Sequence, residues 1–142
     1  MDDILTNKAA TIERCLKRIR NEYSNDPVNL YENITKQDSI ILNIQRACET
    51  AIDLAMPEIR IRRLGIPQDS RDAFTILFRE GLISKALAEK MMAMVGFRNI
   101  AVHDYQELNL EVVQRIIEKN LEDFLEFTRI LIKSQSPAKS ER

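Results

Sequence analysis

Thr35-Lys36-Gln37-Asp38-Ser39-Ile40-Ile41-Leu42-Asn43-Ile44-Gln45-Arg46-Ala47-Cys48-Glu49-Thr50-Ala51-Ile52-Asp53-Leu54-Ala55 is the stretch that decides the fold. Ile40, Ile41, Ile44, Ala47, Cys48, Ala51, Ile52 and Ala55 return every three or four residues, which gathers them on one face of a helix. The Thr35 hydroxyl is suited to capping its start. Pro57 interrupts the run by removing a donor and crowding the preceding turn, so the helix kinks there or ends nearby, before Gly65.

The same period extends outward on both sides. Ile4 or Leu5, then Ala9, Ile12, Leu16, Ile19 and Tyr23 form one stripe that should stop at Asn25-Asp26-Pro27. Downstream, Leu64 to Ser70 reads as a connection, and a short helix is expected from about Arg71 to Glu80, with Gly81 to terminate it. Ser84 opens the next helix, whose seam runs Leu87, Met91 and Met94 through Ala88, Ala93 and Val95 toward Phe97. Met91, Met92 and Met94 suit core or dimer packing better than a cofactor pocket. Asn109 caps a last helix carrying Val113, Ile117, Leu121, Phe124, Thr128 and Leu131. From Ser134 the pattern is lost. The expected organisation is therefore one all-α domain over residues 1–134, an antiparallel bundle of about five helices, with a polar tail at 135–142.

Composition agrees and sets limits. The 142 residues include only 3 Gly and 4 Pro, which disfavours turn-rich β architectures. A formal charge of −1 provides no global attraction to nucleic acid, so any RNA contact has to be local. Arg14, Lys17, Arg18 and Arg20, or Arg60, Arg62 and Arg63, are candidate patches, although such runs are more often solvated helix faces. Met1-Asp2-Asp3 lacks the flank of a secretory signal and no apolar run approaches ~18 residues, so a cytoplasmic protein with no membrane contact is expected. Cys15, Cys48 and a single His cannot assemble an ordinary structural zinc site in one chain; the cysteines read as reduced core residues, and neither metal nor cofactor is expected.

The chemistry concentrates at the end of the fourth long segment. Four residues after Met94 the seam reaches Arg98, a guanidinium where an apolar side chain was due. Burying it unpaired is costly, so Arg98 should meet a carboxylate, face a polar cleft or be kept for an anion such as phosphate. The only His follows at 103. Five helical residues turn through about 140°, so Arg98 and His103 share a face only if the helix ends or distorts between them, or if the facing groups come from two subunits.

Arg98, four intervening residues and His103, with polar Asn99 after the Arg, resemble the Arg-x4–6-His motif of the HEPN superfamily. Tyr105 extends it to Arg-x4-His-x-Tyr, which is similar to the HepT branch, the toxins of HepT–MntA toxin–antitoxin pairs. Leu64-Gly65-Ile66-Pro67, Ser70-Arg71-Asp72 with Phe74, Leu77 and Glu107-Leu108-Asn109 carry the resemblance over nearly the whole chain. It implies a five-helix HEPN fold, a homodimer with the motif lining the cleft between subunits, and RNA cleavage without a metal. Arg98 and His103 are then catalytic, Asn99 supports them, and Tyr105 accepts AMP groups from an MntA-type nucleotidyltransferase that neutralises the toxin.

Elementary chemistry is compatible with that implication. Cleaving RNA through its own 2′-hydroxyl needs a base near neutral pH, an acid for the leaving 5′-oxygen and a cation for the phosphorane. An imidazole titrates in that range and a guanidinium is a permanent forked phosphate ligand. One His cannot obviously serve as base and acid at once, whereas a symmetric dimer supplies two. The competing readings are a non-catalytic helical module that binds nucleotide or a nucleotidyltransferase partner through the same cleft, and a structural bundle in which His103 caps a helix end.

Overall fold

The computed structural model of the chain describes residues 3–140, with side chains described as far as Gln135. Seven α-helical segments follow one another: α1 (Asp3–Tyr23), α2 (Val28–Tyr31), α3 (Ile34–Arg62), α4 (Ser70–Arg79), α5 (Lys85–His103), α6 (Leu110–Arg115) and α7 (Leu121–Ser140). A π-helical turn at Ile116–Asn120 joins α6 to α7, so these two make one long final helix. With the single turn α2 set aside, the architecture is the expected five-helix bundle, and there is no strand among the described residues.

Side-chain chemistry sets most of the boundaries. Tyr23 ends α1, and Ser24 and Asn25 take left-handed backbone (φ 49° and 58°) to turn the chain before Pro27. The start of α3 corrects the Thr35 expectation: Asn33 is the cap, its side chain accepting from the Lys36 amide at 3.0 Å, and Thr35 lies inside the first turn. Asp69, Ser84 and Asn109 cap α4, α5 and α6 through the amides of Asp72, Leu87 and Glu111. Pro57 sits within α3 without ending it. One lost hydrogen bond is outweighed by the burial of Leu54, Ala55 and Ile59 around it, and the helix runs on to Arg62.

The apolar stripes meet in one core. α1 lies along α3; α3 also packs against α4 and α5, and α7 closes the bundle over α1, α3 and α5. Ile12, Ile19, Ile40, Ile44, Ala47, Leu77, Phe124 and Leu131 are fully buried. Phe74 and Phe127, one from α4 and one from α7, meet edge to face with ring centroids 5.3 Å apart. Leu5 rather than Ile4 is the inner residue of α1: Leu5 is buried and Ile4 is exposed. On α5, Leu87, Ala88, Met91, Met94 and Val95 face the core, Met92 is partly buried beside the Thr75 hydroxyl, and Ala93, expected in the seam, points outward. Cys15 and Cys48 are buried free thiols.

The backbone of α7 stays helical to Ser140, beyond the point where the apolar pattern stops; Glu141 and Arg142, the end of the expected tail, lie outside the described residues. No helix is long and apolar enough to cross a membrane among the described residues.

Candidate functional site

α5 positions the motif. It is regular from Lys85 through His103, and the Asp104 amide still donates to the Ile100 carbonyl at 2.8 Å. No distortion separates Arg98 from His103, so within one protomer the two project about 140° apart around the helix. Arg98 is 23% exposed, and its Nη1 stands 3.8 Å from Glu49 Oε2 of α3, a loose ion pair. Its Nε is buried with no hydrogen-bond partner. A guanidinium carries five N–H donors, so most of the donor capacity of Arg98 is left uncommitted.

Next to it, Asn99 and His103 are exposed. They share a face of α5 with Gly96, where a side chain would collide with Arg71: an added Cβ would lie 2.6 Å from Arg71 Nη2. Gly96 thus lets a second guanidinium lie against α5 about two turns above His103. Cys48 touches the same helix, its Sγ 3.4 Å from the Met94 carbonyl; burial pushes its thiol up while the nearby Arg98 draws it down, and burial dominates.

Beyond α5 a 3-10 turn (Tyr105–Glu107) fixes Tyr105, closed by the Glu107 amide on Asp104 and the Leu108 amide on Tyr105. The ring is 42% exposed, and its phenol donates to the carboxylate of Asp38 on α3. Partial burial, and then this carboxylate, push the phenol up to about 12. The pairs Arg98–Glu49 and Tyr105–Asp38 show α5 and its extension running antiparallel to α3, so that α3 supplies a carboxylate at each end of the motif.

Neither carboxylate was singled out by sequence reasoning. A carboxylate was one of the partners open to Arg98, but nothing local distinguishes Glu49 from the other acids of α3. The expected basic patches are partly engaged elsewhere: Arg20 pairs with Glu122 at 2.9 Å, and Arg62 with Glu58 at 2.9 Å. A recess of about 660 Å³ beside Arg20, Tyr23 and Glu118 contains none of the motif residues. The motif lies on an open face, next to a smaller groove of about 270 Å³ lined in part by Gly96, Phe97, Ile100, Leu108 and Val112. No group of three or more His, Cys, Asp or Glu suited to a metal ion occurs among the described residues.

Comparison with known proteins extends this description. Residues 12–131 match the family model described as Ribonuclease HepT-like. The mRNA nuclease HepT of Shewanella oneidensis is 50% identical over 131 residues, covering 92% of this chain and 98% of that protein. The structure of the tri-AMPylated Shewanella oneidensis HEPN toxin in complex with its MNT antitoxin superposes with a TM-score of 0.88 at 50% identity, over 95% of this chain and all of that one. A toxin–antitoxin structure with AMP-PNP gives 0.89 at 49% identity, over 94% of this chain and all of that one. Fold and sequence together define an HEPN-type helical bundle. The chain belongs to the HepT-like ribonuclease family.

Proposed function

We propose that this chain is the endoribonuclease toxin of a toxin–antitoxin pair, that Arg98 and His103 carry out the cleavage with Asn99 in support, and that an MntA-type nucleotidyltransferase neutralises it by AMP transfer to Tyr105. Its place of action is the cytoplasm, where such an RNA substrate is found. Family membership supports the reaction class. The observation that carries the residue assignment is Arg98: it holds Glu49 only at 3.8 Å and keeps a buried Nε without a partner. A guanidinium left short of acceptors inside a fold is poised for an oxyanion, and the phosphorane of RNA cleavage is one.

His103, exposed at the last turn of the same helix, supplies the imidazole. Because α5 is undistorted, a combined Arg and His site is best completed by a second copy of the chain. Ile100 and Val102 of α5, 42% and 46% accessible, supply apolar surface for that homodimer. Two imidazoles across a two-fold axis divide the work: one takes the proton of the 2′-hydroxyl, the other protonates the leaving 5′-oxygen, and Arg98 stabilises the charge between them. None of these steps calls for a metal ion.

AMP transfer to Tyr105 blocks this chemistry by adding bulk and a phosphodiester charge two residues beyond His103. Attraction for the substrate phosphate is thereby replaced by occupancy and repulsion.

The scheme is tested by the ends it leaves. Cleaved RNA is expected to carry 2′,3′-cyclic phosphate and 5′-hydroxyl ends, and an RNA with a single 2′-deoxy nucleotide at the cleavage point is expected to resist. Cleavage of the deoxy-substituted RNA at an unchanged rate contradicts attack by the 2′-hydroxyl.

A further inference from the structure

We infer that Asp38 is the proton acceptor for nucleotidyl transfer onto Tyr105, an inference that rests on the reading of Tyr105 as the modified residue. A tyrosine near neutral pH is almost wholly protonated and a weak nucleophile, so its oxygen attacks phosphorus only if the proton has somewhere to go as the new bond forms. Here the destination is already in contact with the proton: the phenol donates it to Asp38 Oδ1. Asp38 makes no ion pair among the described residues, so its carboxylate can take the proton without giving up a cation. Both partners are on the surface and open to a bound nucleotide, with the ring 42% exposed and Asp38 exposed at the start of α3.

The placement is built by the fold. Asn33 caps α3 and fixes its first turn, and the 3-10 turn after α5 holds the ring against it. The charged group acting on the phenol comes from α3. His103 and Asp104 at the end of α5, and Glu107 in the 3-10 turn, are the titratable neighbours in sequence and add no comparable influence. In the step itself, the phenol oxygen bonds to the α-phosphorus of ATP and the bond from that phosphorus to the bridging oxygen of the β-phosphate breaks. Pyrophosphate leaves with the electron pair, and the phenol proton passes to Asp38 and on to solvent. An aspartate plays the corresponding part for the substrate hydroxyl in protein kinases.

The experiment follows AMP addition by intact mass over time, using the full chain, the purified nucleotidyltransferase partner and magnesium ATP, from about pH 6 to about pH 9. Asp38→Asn is expected to slow the first addition by about 100-fold near neutral pH, with a rate that then climbs close to tenfold per pH unit as phenolate forms. Asp38→Glu keeps a carboxylate and is expected to retain the flat profile of the wild type. Circular dichroism checks that the variants fold, and if Asp38→Asn does not, the Asp38→Glu profile decides alone. A wild-type rate and profile for Asp38→Asn, or a tenfold-per-unit slope for Asp38→Glu, overturns the role of Asp38. A mass gain that persists in Tyr105→Phe overturns the assignment of Tyr105 itself, whatever Asp38 does.

Discussion

Arg98 shows how far a single residue can be read from sequence. Its place at the end of the Leu87, Met91, Met94 seam marks it as a charge at an inner position, and the structure finds it mostly buried, loosely paired and with one nitrogen unpartnered. Which carboxylate would face it was not legible, because Glu49 lies 49 positions earlier and only the packing of α3 on α5 brings the two together. The same holds for Tyr105, whose link to Asp38 spans 67 positions. Its proposed role yields a prediction at this scale: Tyr105→Phe keeps the fold and the ribonuclease activity but gains no AMP from the partner enzyme, so cells expressing both proteins stop growing. Growth rescue of Tyr105→Phe equal to that of the wild type would return Tyr105 to a packing role.

Helices were legible where one face is buried and the cap is a strong one. Ser84 and Asn109 start α5 and α6 where their side chains predict, and every apolar position expected in the last helix is buried. Thr35 was misread because Asn33, two residues earlier, accepts the same kind of amide bond; Asn is the better cap and claims the helix start. The π turn at Ile116–Asn120 left no mark in the sequence, since the apolar spacing on either side of it stays at three and four. The end of α3 carries a prediction. Arg63 takes left-handed backbone (φ 58°), with the Leu64 amide bonded to the Ile59 carbonyl at 3.0 Å, a closure that favours glycine. Arg63 is exposed, so Arg63→Gly relieves strain without losing packing and should stabilise the fold by about 0.5–1 kcal/mol, measured by urea unfolding. A loss of stability would show that the Arg63 side chain makes a contribution larger than the strain.

The whole molecule raises the question of the second copy. α5 buries Met91, Met94 and Phe97 on one side yet leaves Ile100 and Val102 exposed on others, an apolar excess that a lone bundle does not use. Bundle, helix order and core were legible because they follow from local periodicity. The completed site was not, because in the proposed dimer it depends on a surface that a single chain only half defines. Light scattering is expected to return twice the chain mass of 16.5 kDa. A strictly monomeric protein that still cleaves RNA would sink the shared site.

Cleavage of total cellular RNA by the purified protein in excess chelator, with Arg98→Ala and His103→Ala run alongside, tests the central claim most directly. The wild type is expected to cut at an undiminished rate, while both variants keep the helical circular dichroism of the wild type and lose cleavage by at least about 100-fold, the scale of a removed acid–base or charge-stabilising group. Cleavage that stops with the chelator, or that survives in either variant, would contradict the account.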